Sequence, residues 1–258
     1  MNQFIKKAKL RIIPVLLLKK GRMVKGKQFS DFRDTGDPIF ASRIYNAQYV
    51  DELIFLDIDA TNEKRETNFS VIEEVSKECF MPLTIGGGVS TVEQIRKLLS
   101  SGADKVVINT EAINNLEFIK QSANIFGSQC IIIGIDVRKE NKEYVIFSNS
   151  GKVRTSISLI EYISKVEELG AGEIFINSID NDGMMKGYDN DLINLVMHNT
   201  NLPVIACGGA GNLMHLVDTY NETNVSALAM ASIYHFGDNN PVRARSYLKN
   251  QDVPIKTV

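Results

Sequence analysis

The chain has 258 residues, 44% hydrophobic and 23% charged, with 18 Gly, 6 Pro and 3 Cys. That is enough apolar material for one large core or two small ones, and it excludes a disordered chain, a fibre and a disulfide scaffold. The 29 Lys+Arg balance 31 Asp+Glu to a formal charge of −2, so no global positive field favours nucleic acid or anionic membrane, and an anionic ligand must be held by a local site.

The N-terminus has a basic start followed by the apolar run Ile12 to Leu18. Lys19 and Lys20 stand where a signal peptide would carry small residues for cleavage, so no export signal is expected. This run and Cys130 to Ile135 are the longest apolar stretches, far short of the roughly 20 residues a membrane-spanning helix needs. Cys79, Cys130 and Cys207 are odd in number and each adjoins an apolar stretch, which suits buried reduced thiols in a cytoplasmic protein. His198, His215 and His235 show no metal-ligand spacing, so neither a metal nor a cofactor is expected.

In chain order, short β-branched runs are predicted as strands at 11–17, 52–58, 82–86, 105–109, 130–136, 173–178, 203–207 and 227–231. Between them lie helical patterns such as 71–79 and 92–100, where apolar residues recur at three- and four-residue steps. The strand runs are continuous rather than alternating, as expected of parallel strands covered on both faces. Eight such units in one chain predict an α/β fold, a single (β/α)₈ barrel.

The chain also repeats itself. A shift of 121 residues places Ile58-Asp59 on Ile179-Asp180, Pro82 on Pro203 and Gly87-Gly88 on Gly208-Gly209 without a gap, which predicts two half-barrels at approximately 1–125 and 126–258. A shift of 119 places Ile12-Ile13 on Ile131-Ile132 and Leu17 on Asp136.

Ligand chemistry in such a barrel sits at the C-terminal ends of the strands. Gly86-Gly87-Gly88 and Gly208-Gly209-Ala210-Gly211 end the third and seventh predicted strands, and the next strands end in Asn109-Thr110 and Ala231-Ser232. Together they predict two phosphate cups, one per half, the alternative being that the glycines only make tight turns. Among the strand-end carboxylates Asp57, Asp59, Asp136, Asp180 and Asp182, Asp136 closes an apolar run and is a candidate general acid or base, with helix capping as the alternative. At the opposite ends Arg11, Glu52, Lys105 and Glu173 open four strands; they form either an inward, charge-compensated ring or an ordinary solvated rim.

RIIP at 11–14, GRMVKG at 21–26, FRDTGDP at 32–38, DELIFLDIDA at 51–60, IGGGV at 85–89, GADKVVINT at 102–110, SIDNDG at 178–183 and GGAG at 208–211 closely resemble the cyclase (synthase) subunit of imidazole glycerol phosphate synthase. The resemblance spans nearly the whole chain. It implies a glutaminase partner docked on the strand N-terminal face, ammonia crossing the barrel, and a bisphosphate substrate cleaved and cyclised at the other face. It places phosphate binding at Gly88, Asn109 and Thr110 in one half and at Asp182, Gly183, Gly209, Ala231 and Ser232 in the other, and an ammonia channel gate at Arg11, Glu52, Lys105 and Glu173.

The family's two opposed catalytic aspartates correspond to Asp136 and to position 17, which here is Leu17. Asn177 and Cys207 stand where the family has hydroxyl residues, and Met185 where it has lysine. The resemblance therefore suggests a paralogue with an altered cyclase site, delivering ammonia within a glutamine-dependent assembly. A third sugar amidotransferase subunit, as in surface-polysaccharide clusters, is the implied further partner. A working cyclase of histidine biosynthesis, with Asp136 acting alone or with Asp182, and a scaffold that only activates the glutaminase are the alternatives. No nucleic-acid or membrane partner is expected.

Overall fold

The computed structural model describes residues 9–256. Eight parallel strands close on themselves: β1 (Arg11–Lys19), β4 (Leu53–Asp57), β5 (Leu83–Gly86), β6 (Lys105–Ile108), β7 (Ile131–Glu140), β10 (Glu173–Ser178), β11 (Val204–Cys207) and β12 (Ala227–Met230), with β12 paired back to β1. The protein is an α/β (β/α)₈ barrel. The run Ile12 to Leu18 is its first strand; the basic start at 1–8 lies outside the described residues. No helix among the described residues is long and apolar enough to cross a membrane.

An outer layer of helices covers the barrel: α1 (Pro38–Ala47), α2 (Phe69–Glu78), α3 (Val92–Ser100), α5 (Leu116–Phe126), α6 (Leu159–Glu168), α7 (Asn190–His198), α8 (Leu213–Thr223) and α10 (Pro241–Asn250). Helix α3 occupies the predicted 92–100, started by a capping box between Thr91 and Gln94 and burying Ile95 and Leu98 against the sheet. The core splits accordingly. A large cluster fills the layer between strands and helices, and a small one, with Ile13, Ile54, Ile132, Phe175 and Ile205, fills the barrel axis.

Two features depart from simple strand–helix alternation. After β1 the chain runs into a hairpin, β2 (Arg22–Lys27) and β3 (Ser30–Gly36), and after β7 into another, β8 (Glu143–Ser148) and β9 (Val153–Ser158). Each rises over the C-terminal face and crosses to the other half. Gln28 donates to the Asp182 and Asp180 carbonyls at 2.8 and 2.9 Å, while the Asn149 N–H donates to the Thr110 hydroxyl at 3.0 Å and Ser150 to the Ile58 carbonyl at 3.0 Å. Phe29 packs with Val145, Phe147 and Ile179 where the tips meet. Second, β6 and β12 are each followed by a very short helix, α4 (Thr110–Asn114) and α9 (Ser232–His235), before the covering helix.

The three cysteines are free, and each is partly rather than fully buried.

Candidate functional site

The C-terminal face opens into a cavity of about 490 Å³, within the range of small-molecule sites. Gly88, Asn109, Thr110, Asp182, Gly183, Gly209, Ala231 and Ser232 all line it, as do Leu17 and Asp136. The two glycine loops have matching backbones, with φ +99° and +74° at Gly87 and Gly88 and +94° and +111° at Gly208 and Gly209. Glycine is needed there for packing as well as for φ: a Cβ on Gly87 would stand 2.0 Å from the Asp57 carbonyl oxygen, and one on Gly209 1.9 Å from that of Gly187. Gly209→Ala is expected to cost about 2–4 kcal/mol, the sum of left-handed strain and backbone displacement, read as the urea-unfolding midpoint.

The loops also leave backbone donors free. The Gly209 and Gly183 N–H groups have no partner among the described residues, and that of Gly88 makes only a long 3.3 Å bond to the Thr61 hydroxyl. Seven α-helices carry a capping side chain at the N-terminus; α4 and α9, which open into the cavity, do not, nor does α5, which follows α4. The buried Ser232 hydroxyl is also unpartnered. Uncapped helix starts and free glycine N–H groups suit an anion such as phosphate. Asp182 differs from its neighbours: its carboxylate is taken by the buried Lys25 ammonium at 2.5 Å and its N–H by Ser178. What it supplies to the mouth is therefore a fixed lysine rather than a phosphate donor.

The strand register sets the floor of the mouth. In one half Leu17 pairs with Leu56, and Leu56 with Gly86; in the other, Asp136 pairs with Asn177, and Asn177 with Cys207. Leu17 and Asp136 thus occupy corresponding rungs, the first apolar and the second ionisable. Asn109 donates to Asp136 at 3.1 Å and Asn177 at 3.4 Å. Burial pushes the Asp136 carboxyl up to about 7; the two amides pull against it and the negative charge of Asp182 adds to it. Such a group exchanges a proton near neutrality. It caps nothing, since α6 begins only after the second hairpin, where Ser158 caps it. Burial and Asp182 also push the Cys207 thiol up to about 12, leaving it protonated and a weak nucleophile.

A raised carboxyl pKa costs folding free energy wherever the group is charged. The cost is absent below the ordinary carboxylate range, grows as pH rises from there, and is complete above about 7. Asp136→Asn is therefore expected to match the parent stability at pH 4 and to exceed it at pH 8. The gain should be about 1–2 kcal/mol, reduced from the full conversion because the open mouth screens the charge; melting curves at the two pH values measure it.

At the opposite end Arg11, Glu52, Lys105 and Glu173 face inward and close a ring. Arg11 bonds Glu52 at 3.0 Å and grips Glu173 with both guanidinium nitrogens; Lys105 bonds Glu52 at 3.0 Å and Glu173 at 2.6 Å. Thr84 donates to the remaining Glu52 oxygen at 2.6 Å. Burial opposes the charge on Glu173, but Arg11 and Lys105 together hold its carboxyl below the usual range.

The sequence model of the histidine biosynthesis protein family matches residues 11–240. The chain belongs to this family. In this histidine biosynthesis family member the other strand-end carboxylates tie loops down: Asp57 is clamped by Arg65 at 2.7 and 3.0 Å, Asp59 holds Lys19 at 2.8 Å, and Asp180 accepts the Lys139 N–H at 2.8 Å. Sequence reasoning did not single out Lys25. The sole signal for it is a lysine between apolar neighbours in GRMVKG, which becomes informative once the hairpin is seen to bury it.

Proposed function

We propose that this chain is the ammonia-receiving, synthase-side subunit of a glutamine-dependent amidotransferase, a paralogue of the imidazole glycerol phosphate synthase cyclase subunit with altered cyclase chemistry. A glutaminase sits against the strand N-terminal face, ammonia passes the ring and the apolar axis, and a phosphorylated ligand is held in the mouth with Asp136 as the proton-transfer group. Nitrogen leaves the assembly on a sugar through a third, amidotransferase subunit of surface-polysaccharide synthesis. The observation that carries the reading is the closed ring of Arg11, Glu52, Lys105 and Glu173, placed under the apolar axis formed by Ile13, Ile54, Ile132, Phe175 and Ile205. A neutral ring at the floor of a barrel is costly to keep and adds little stability over apolar packing, so its retention fits a role in passage.

A second reading, a working cyclase of histidine biosynthesis, is favoured by the poised Asp136 between two anion cups. Turnover of the bisphosphate cyclase substrate with ammonium salt and no partner separates the two. The paralogue turns over slowly, about 10²–10⁴-fold below an enzyme with both aspartates; a rate within tenfold of such an enzyme overturns the first reading in favour of the second.

A further inference from the structure

The polar half of the mouth floor has one group whose hydrogen-bonding capacity is half used. Asp136, when ionised, only accepts, so the amide of Asn177 must turn its NH₂ toward it, as the 3.4 Å bond shows. The Asn177 carbonyl oxygen is then left over. It has no partner among the described residues, although Asn177 is only 8% exposed and lies on the cavity wall. The other amide on Asp136 has no such surplus, because the Asn109 carbonyl oxygen accepts from the Thr110 hydroxyl at 3.4 Å. Across the floor, Leu17 and Leu56 offer only apolar surface.

A buried acceptor without a donor costs about 1–3 kcal/mol until something satisfies it. Neither neighbour on its rung does so: Asp136 is occupied by the NH₂, and Cys207 is a weak thiol donor. We infer that Asn177 is a specificity-determining residue, its carbonyl oxygen accepting an N–H from the ligand head group while the flat face of the same ligand lies against Leu17 and Leu56. The mouth thus selects phosphorylated ligands whose head bears N–H over those of equal shape and charge without it. This rests on the reading that the mouth holds a phosphorylated ligand.

The test uses two mononucleotides that share a phosphate, a ribose and a flat pyridinium ring bearing a carbonyl substituent. Nicotinamide mononucleotide has an NH₂ where 3-acetylpyridine mononucleotide has a methyl. Calorimetric titration of the whole chain at pH 8 is expected to favour the amide about tenfold or more, and Asn177→Leu should bring the ratio within about threefold. Asn177→Ala is the parallel variant if leucine strains the rung. The ratio, unlike either affinity alone, does not respond to a general loosening of the floor. Equal binding by the parent, or a ratio unchanged in both variants, overturns the assignment to Asn177; if inorganic phosphate still competes with both probes, the phosphate-binding mouth stands regardless. Failure of both probes and of inorganic phosphate to bind overturns the inference and the phosphate-binding mouth together.

Discussion

Lys105→Ala is expected to uncouple glutamine hydrolysis from amination while leaving ammonium-driven chemistry at the mouth largely intact. Lys105 is the second cation on both ring carboxylates, and Glu52 and Glu173 are almost wholly buried beside it. Removing one partner of a buried pair costs about 3–5 kcal/mol when nothing else compensates. Arg11 still bonds both carboxylates in the variant, so a smaller loss of about 1–3 kcal/mol is expected. The pH dependence follows from Glu173. Its carboxyl lies below its ordinary range in the folded state, so the ring stabilises above that range and loses its contribution as pH falls through the lowered value. The stability gap between variant and parent should therefore be flat at neutral pH and close in acid. With a glutaminase bound, glutamate released per acceptor aminated should rise above one. A variant that stays tightly coupled reduces the ring to a structural plug.

The second large effect is at Leu17. Its rung corresponds to that of Asp136, and it faces the same cavity, so Leu17→Asp places a second carboxyl across the mouth from the first. A positioned proton-transfer group contributes about 10²–10⁴-fold. Starting from the low rate proposed for the parent, the variant should gain at least tenfold in cyclisation of the bisphosphate substrate with ammonium salt. The cost is local. Leu56 and Val107 surround position 17 with apolar surface, and a carboxyl placed there loses about 1–3 kcal/mol of stability unless it stays protonated. Its charge would also raise Asp136 further, so the pH–rate profile should shift upward with the gain. A stable variant with no gain would show that the other departures, at Asn177, Cys207 and Met185, block cyclisation independently of the missing aspartate.

Much of the fold is legible along the chain because parallel barrel strands are buried on both faces and so read as unbroken apolar runs. The predicted 173–178 is β10 residue for residue, and the others differ at their ends by up to four residues, the most at the fifth, where β7 continues to Glu140 into its hairpin. The paired glycines are equally visible, since left-handed φ and carbonyls within about 2 Å of a Cβ leave no other residue at Gly87 or Gly209. The hairpins are not visible. SDFRDTG of β3 is mostly exposed and has no apolar run, and α4 and α9 span five and four residues, too few to establish a helical period.

The order of residues is enough to specify the layered α/β barrel and the residue types at each strand end, because these follow from local burial pattern and backbone permissiveness. Which of those ends meet is set by strand register and barrel closure. Register across the sheet put Leu17 on the rung matching Asp136 and turned Asn177 toward it. Barrel closure drew Arg11, Glu52, Lys105 and Glu173, up to 162 residues apart, into one ring. The first hairpin buried Lys25 against Asp182 across 157 residues of chain. Such contacts depend on long-range pairing and the desolvation it imposes, neither of which has a signature in the order of neighbouring residues.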